Sequence, residues 1–291
     1  MYKNKKIVIV CFLLPIFLLF IVNVVYPIIA SSVYSFFSWD GISEMKYVGL
    51  KNYIKLFSSP VFYKACINSL YLVIGSGLVQ VLIGLILAVL LSGRIRGFKL
   101  FRTVYFFPVM ISSVSIALMF SLIYAPQFGL LNSILKGIGL ENLARPWLGD
   151  SKVVIFAAIF PQIWQYIGLM FVIQLAALQN IPAEIMEYTS LDGATGLKKL
   201  FYINIPLIWE VIQICVVLGV TGSLREFEHI WVLTEGGPMH ASEILGTHMY
   251  LSIFKGMQFG YGSSVAFIIF IVGLLFTVIF KKYFSGETIQ Y

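Results

Sequence analysis

Three groups of polar residues interrupt an otherwise apolar chain, and their spacing sets what chemistry the chain could do. The first is Gln162, Trp164, Gln165 and Tyr166, amides beside aromatic rings. Such a set suits a sugar, which has apolar ring faces to stack and hydroxyls to bond. A place for Trp164 in an interfacial aromatic belt is the structural alternative. The second group is Thr221, Ser223, Arg225, Glu226, Glu228 and His229, with apolar residues resuming through Leu233. An ionisable group inside a membrane is costly unless it faces a partner or a wet cavity, so this group marks either a polar path or an ion pair of Arg225 with Glu226 or Glu228. The third is the stretch from Gln179 to Pro206, too polar to span a bilayer and too patterned for a random linker.

Other chemistry finds no support. Cys11, Cys66 and Cys215 sit in or beside apolar segments without CxxC spacing, and His229, His240 and His248 form no HExxH or Cys/His pattern. No paired acids or nucleophile–base pair stands within an apolar run, which argues against a membrane enzyme. No GxxxxGK[ST] is present, so this chain has no such loop to cradle a nucleotide phosphate.

The elements that must position these groups are membrane helices. Of 291 residues, 59% are hydrophobic and 11% charged, and the mean hydropathy is +0.93. Soluble domains carry about 25% charged residues, and a monomer of this size has too little interior to hide so much apolar area. A span needs about 20 apolar residues at about 1.5 Å rise each. Six stretches qualify, near 7–34, 66–92, 103–124, 152–178, 204–233 and 261–282. Backbone groups in lipid must find partners within the segment, which requires helices; the alternating short segments of an outer-membrane barrel are absent. The first run is longer than a signal-peptide core and lacks an A-x-A site, so it reads as a retained helix.

The net charge of +7 comes from short basic clusters at the ends of apolar runs and builds no continuous stripe for nucleic acid. Lys3, Lys5, Lys6, then Arg94, Arg96, Lys99, Arg102, then Lys198, Lys199, then Lys281, Lys282 all fall on one side of a six-span topology. The positive-inside rule makes that side cytoplasmic and both termini inward. Residues 35–65, with Trp39, Asp40, Gly41 and Tyr47 to Tyr53, read as an extracellular loop with short interfacial helices. The chain divides on this reading into 1–65, a first helix with its outer loop, and 66–291, a core with a cytoplasmic loop at 179–206. Gly75 with Gly77, Gly84 with Ala88, and Gly256 with Gly260 are candidates for close helix packing.

Within the cytoplasmic loop, Pro182 fits a first helical turn and Ile185, Met186, Tyr188 and Leu191 give a short helix its apolar contacts. Asp192-Gly193 supplies a break. A second short helix over 195–202 then leads through Ile203-Asn204-Ile205-Pro206 into the fifth span. If that span is one helix to Thr234, Arg225 lies about 28 Å along it from Pro206. The hairpin could dock in a partner's groove or simply lie at the membrane interface.

The spacing of Glu187, Gly193, Ile203 and Pro206 resembles the EAA loop of binding-protein-dependent ABC importer permeases: E-A-A, three residues, G, nine residues, I, one residue, L-P. Tyr188 and Thr189 replace the alanines and Ile205 the leucine. Val48-Gly49-Leu50-Lys51-Asn52-Tyr53, Phe107-Pro108, Leu233-Thr234-Glu235-Gly236-Gly237-Pro238 and Phe259-Gly260-Tyr261-Gly262 resemble segments of the carbohydrate branch, the maltose and glycerol-phosphate permeases. The likeness runs over nearly the whole chain. It implies an all-α type I importer permease fold that pairs with a second homologous permease subunit. It also implies a cytoplasmic ATPase dimer holding ATP and Mg, an extracellular sugar-binding protein, and a bacterial cytoplasmic membrane around the assembly. Met186, Glu187, Thr189, Ser190, Leu191, Asp192, Gly193 and Ala194 would then couple to the ATPase. By resemblance to the maltose permease, the sugar contacts would fall on Gln165, Tyr166, Leu169, Gly219, Gly222, Ser223 and Glu226. An ion-coupled carrier, which also uses broken helices but needs no ATPase, is the competing class.

Overall fold

The computed structural model describes residues 5–92, 97–191 and 196–284, without the side chains of 5–11, 183, 186, 190 and 191. The order is α1 (Lys5–Phe20), a π segment at Ile21–Val25, α2 (Tyr26–Tyr34), strands β1 (Phe37–Ser38) and β2 (Lys46–Tyr47), and α3 (Lys51–Phe57). Next come α4 (Pro60–Leu72), a π segment at Val73–Leu78, α5 (Val79–Leu91), α6 (Phe98–Phe106), a 3-10 turn at Phe107–Met110, α7 (Ser113–Ile123) and α8 (Leu130–Gly137). After a 3-10 turn at Glu141–Leu143 follow α9 (Val154–Gln179), α10 (Ala183–Leu191), α11 (Gly196–Lys199), a π segment at Leu200–Asn204 and α12 (Ile205–Leu207). The chain ends with α13 (Trp209–Leu224), α14 (Glu228–Thr234), α15 (Leu245–Tyr250), a π segment at Leu251–Lys255 and α16 (Phe259–Phe284).

Among the described residues, four helices are long and apolar enough to cross a membrane: Phe12–Tyr34, Pro60–Leu91, Val154–Gln179 and Phe259–Phe284. They stand where the sequence predicts the first, second, fourth and sixth spans. The third and fifth depart from straight helices. Phe98–Met110 and Ser113–Ile123 meet at 97°, and Gly196–Leu207 and Trp209–Thr234 at 78°, so the count reaches six only if each bent pair is one span. Each bend lies just past a proline. After Pro108, Ile111 turns extended at φ −89°, ψ 143°; after Pro206, Ile208 leaves the helical region at φ −107°, ψ 15°. Proline disturbs the turn before it, whereas these breaks fall two and three residues after it, so the prolines mark the neighbourhood of a break that apolar content alone conceals.

The chain forms two compact units. The first comprises Met1–Phe62 with His248–Ile271 and the second Tyr63–Thr247 with Val272–Tyr291. In the first unit, residues 37–47 differ from the expected loop of interfacial helices. They close an antiparallel hairpin with Phe37 opposite Tyr47 and Ser38 opposite Lys46, leaving α3 as the helix of this loop. Gly41 takes the positive φ of 93° that the turn needs. The Asn52 side-chain amide donates to the Ser35 and Phe37 carbonyls at 2.8 and 2.9 Å, pinning α3 to the hairpin.

Among the described residues of the second unit, two apolar clusters are the largest. One gathers Leu72, Ile116, Phe120, Ile159, Ile230 and Ile244 from α4, α7, α9, α14 and the turn after it. The other joins Leu85, Ala88, Phe171, Leu175, Ile181 and Ile208 along α5 and α9. Helices approach closely where side chains vanish. A Cβ on Gly84 would stand 2.8 Å from the Met170 Cβ, in line with the small-residue expectation for α5.

Candidate functional site

The stretch between the fourth and fifth spans is a pair of short helices with an anchored base. Ile181 is buried, and Ile185, Ile205 and Leu207 lie against the α5–α9 core, which fixes α10 and α12 to the ends of the spans. One turn past Ile185, Tyr188 is 68% exposed, so it faces outward rather than forming the apolar contact expected from the pattern. Glu187 is exposed and Thr189 half-buried on the same helix. Across residues 192–195, Leu197, Phe201 and Tyr202 are also exposed, Tyr202 to 81%. These three were missed by the sequence reading; their signal was large apolar side chains flanking Lys198-Lys199. The side chains of Met186, Ser190 and Leu191, and Asp192, Gly193 and Ala194 altogether, lie outside the described residues. The expected second helix at 195–202 is in fact Gly196–Lys199 running into a π segment.

On α9, Gln165, Tyr166 and Leu169 share one face by their i, i+1, i+4 spacing, with Gln162 one turn earlier. Gln165 is 2% exposed; its Nε2 donates to the Ile111 carbonyl at 2.9 Å, at the bend between α6 and α7. Its Oε1 is buried with no partner among the described residues. Tyr166 and Leu169 are half-buried. Trp164 packs edge-on to Phe120 with centroids 5.8 Å apart.

On α13, Gly219 meets the π segment of the second span so closely that a Cβ there would fall on the Gly77 carbonyl. Ser223 is buried and its Oγ donates to the Gly219 carbonyl at 2.8 Å, whereas Gly222 is open. The helix ends at Leu224 and resumes at Glu228, so the single helix that placed Arg225 about 28 Å from Pro206 does not form. Glu226 Oε1 accepts the His229 backbone N–H at 2.9 Å and lies 3.0 Å from His229 Nδ1, and so caps α14. His229 is fully buried. The expected ion pair of Arg225 with Glu226 or Glu228 is therefore replaced by the Glu226–His229 contact; Arg225 is exposed and has no ion-pair partner among the described residues.

Ser76 and Gln80 complete this side of the molecule and were not singled out from sequence. Both are buried, and Ser76 Oγ and Gln80 Oε1 lack partners among the described residues. A Cβ on Gly219 would lie 3.3 Å from Gln80 Nε2. Their only sequence signal was a serine and a glutamine four apart in an apolar run. The turn after α14 is tied back to the second span. Asn68 Nδ2 donates to the Ala241 and Glu243 carbonyls at 3.0 and 2.9 Å, and Ser69 Oγ accepts the Leu245 N–H at 2.9 Å.

Several helices of membrane-crossing length and apolar character, with amides and hydroxyls buried within them, define a polytopic helical membrane protein. Residues 80–286 match the family described as binding-protein-dependent transport system inner membrane component, and the chain belongs to that family. It is 39% identical to the probable ABC transporter permease protein YurN of Bacillus subtilis, over 98% of each chain. It is 30% identical to the multiple sugar-binding transport system permease protein MsmF of Streptococcus mutans, over 90% of this chain and 89% of that one. A crystal structure of a bacterial alginate ABC transporter, in complex with an alginate pentasaccharide-bound periplasmic protein, superposes with a TM-score of 0.85. It covers 99% of this chain and 97% of that chain at 22% identity, and shows the same fold.

Proposed function

We propose that the chain is one of two homologous membrane subunits of an importer that carries a sugar or oligosaccharide across the bacterial cytoplasmic membrane. An extracellular binding protein delivers the sugar. A cytoplasmic ATPase dimer, with its ATP and Mg, supplies the work through the helices at 183–207, and both termini face the cytoplasm. The observation that carries the reading is the split character of those helices: a base buried in the α5–α9 core and an outer surface of Glu187, Tyr188, Leu197, Phe201 and Tyr202. Large exposed rings on short polar helices suit a partner's groove, and burial of the base lets movement of the tip reach the spans. The carbohydrate assignment is supported by the relative named for multiple sugar binding. Gln165, Tyr166, Leu169, Gly219, Gly222, Ser223 and Glu226 are the proposed sugar path, Gln165 and Ser223 being closed off in this conformation.

The test is ATPase activity of the reconstituted complex, stimulated by the sugar-loaded binding protein. Replacing Tyr188 and Tyr202 with alanine should leave the chain inserted and lower stimulated hydrolysis at least about tenfold, the loss of about 1.4 kcal/mol of coupling contacts. Full stimulation in the double variant would remove the docking role, and uptake that survives ATP depletion while an ion gradient persists would replace this reading with an ion-coupled carrier.

A further inference from the structure

The first unit holds a cavity of about 330 Å³ between the Phe37–Tyr47 hairpin, α3 and the start of α16, with Trp39, Asp40, Glu44, Lys46, Lys55 and Gln258 on its walls. None of these residues belongs to α9 or α13. Its walls are held by bonds among themselves. Asp40 Oδ1 accepts the Ile42 and Ser43 N–H groups at 2.9 and 2.7 Å and the Ser43 hydroxyl at 2.9 Å. Trp39 Nε1 donates to the Ser43 carbonyl at 2.9 Å, and its ring lies 5.1 Å from Tyr34 and 5.5 Å from Phe259. The hairpin touches α16 directly, with Gly260 N–H donating to the Trp39 carbonyl at 3.3 Å. Lys55 Nζ donates to Gln258 Oε1 at 2.6 Å and sits 5.2 Å from the centroid of the Tyr261 ring, itself part of the wall.

What is left for a ligand is chemically specific. Asp40 Oδ2, the Glu44 carboxylate and the Lys46 ammonium make no side-chain bond within the described residues. Two carboxylates and two ammonium groups balance to no net charge, so a phosphate would meet Asp40 and Glu44 and a polyamine would meet Lys46 and Lys55. An apolar ligand would strip water from all four charges without replacing it. A hydroxyl both donates and accepts, so it satisfies a carboxylate and an ammonium alike, and the half-buried Trp39 ring suits the C–H face of a sugar ring. The volume is at the small end of ligand pockets, about 300–1,000 Å³, which admits a mono- or disaccharide unit.

We propose that this cavity is a second saccharide site that takes one end of a neutral oligosaccharide, built from the hairpin, α3 and α16 alone. It rests on the reading that the chain handles sugars, and it adds a holding site to the proposed path residues.

The test uses the intact complex in nanodiscs with diazirine-tagged maltotriose, lactose and arabinotriose, and maps the labelled peptides by mass spectrometry. Label is expected on peptides covering 38–46 and 255–261, competed by the untagged sugar but not by inorganic phosphate or spermidine. The double variant Glu44→Gln, Lys46→Met, which removes exposed groups without fold bonds, should cut that label at least about fivefold, the worth of one or two lost hydrogen bonds. The single variant Glu44→Lys, which upsets the charge balance, should cut it as well. Absence of label at these peptides with all three sugars, undiminished label in both variants, or competition by phosphate or spermidine would overturn the site. So would variants that lose binding-protein docking while the label persists, since the cavity would then receive a protein side chain. Uptake of the same sugars by the wild-type complex is scored in parallel. Uptake without label fails this site alone, and absence of uptake fails the importer reading separately.

Discussion

The helix at 154–179 and the one at 12–34 are alike in length, both long and apolar enough to cross a membrane, and opposite in surroundings. The first buries 61% of its most apolar stretch and the second none of it. They differ accordingly in what they carry. The buried helix holds Pro161, Gln162, Gln165 and Gln174 among its interior residues. The exposed one shows Phe12, Leu13, Ile16, Phe17 and Leu19 outward, and its Asn23 amide is spent on the Leu19 carbonyl one turn back at 2.9 Å. Lipid tails are as apolar as leucine and give no drive for helices to associate. A polar group therefore survives in a span only where protein covers it, and the span that carries the polar groups must also be the covered one. In this chain the polar residues mark the buried helix, the reverse of the rule for soluble proteins.

The comparison breaks most sharply at the helix crossings. A Cβ on Gly168 would fall on the Tyr105 carbonyl of α6, a backbone atom that cannot swing aside. Gly168→Val is expected to cost about 3 kcal/mol or more in detergent unfolding, the upper range of overpacking. Leu18→Ala in the exposed helix, where the side chain is 51% exposed, should change the unfolding midpoint by less than about 0.5 kcal/mol. Equal costs at the two sites would mean that the first helix has contacts within the chain beyond those described.

A finer test concerns the polar cargo itself. Gln174 is fully buried, its Nε2 donating to the Val81 carbonyl at 3.1 Å while Oε1 has no partner among the described residues. Gln174→Leu keeps the volume and removes the unpaired oxygen, so stability should stay within about 1 kcal/mol of the wild type. Gln174→Ala leaves a cavity as well and should cost about 2 kcal/mol. Denaturation of both variants in the same detergent decides it. A leucine variant as unstable as the alanine variant would show that Oε1 is satisfied in the membrane, by water or by another chain.

The sequence made the apolar spans legible because lipid burial depends on composition over some twenty residues, which a window reports faithfully. It did not disclose the bends. Residues 103–124 and 204–233 stay apolar across Ile111-Ser112 and Ile208, so hydropathy runs on through a break that a few backbone angles make; Pro108 and Pro206 were the available signs. The hairpin at 37–47 escaped because strands of two residues are too short for alternation to register. At the candidate site, the residue types were readable and the partners were not. Glu226 reads from sequence as a path residue or as the ion-pair partner of Arg225, and only the break after Leu224 turns it onto His229. Ser76 and Gln80 gained meaning through Gly77 and Gly219, whose mutual approach depends on two helices far apart in sequence.

The smallest expected effect concerns what orders the end of the exposed helix. With none of its own length buried, that helix is held where it leaves the apolar stretch, through Tyr53 to Ser35 Oγ at 2.7 Å, Asn52 to Ser35, and the turn built on Asp40. The Ile42 N–H, then the Ser43 N–H and hydroxyl, hold the Asp40 carboxyl down at about 2, below its usual value of 3.8. A carboxyl lowered on folding contributes order that is present above its unfolded value and is lost as pH falls through the folded one. Trp39 fluorescence should therefore be flat above about pH 4 and change between about pH 4 and 2. Asp40→Asn should abolish that transition and leave the hairpin emission pH-independent, with a smaller disturbance at neutral pH than either glycine or glutamine change in the buried helix. A Trp39 transition centred near pH 4 in the wild type would show that the turn does not hold the carboxylate, and the exposed helix would then owe its order to contacts outside the hairpin.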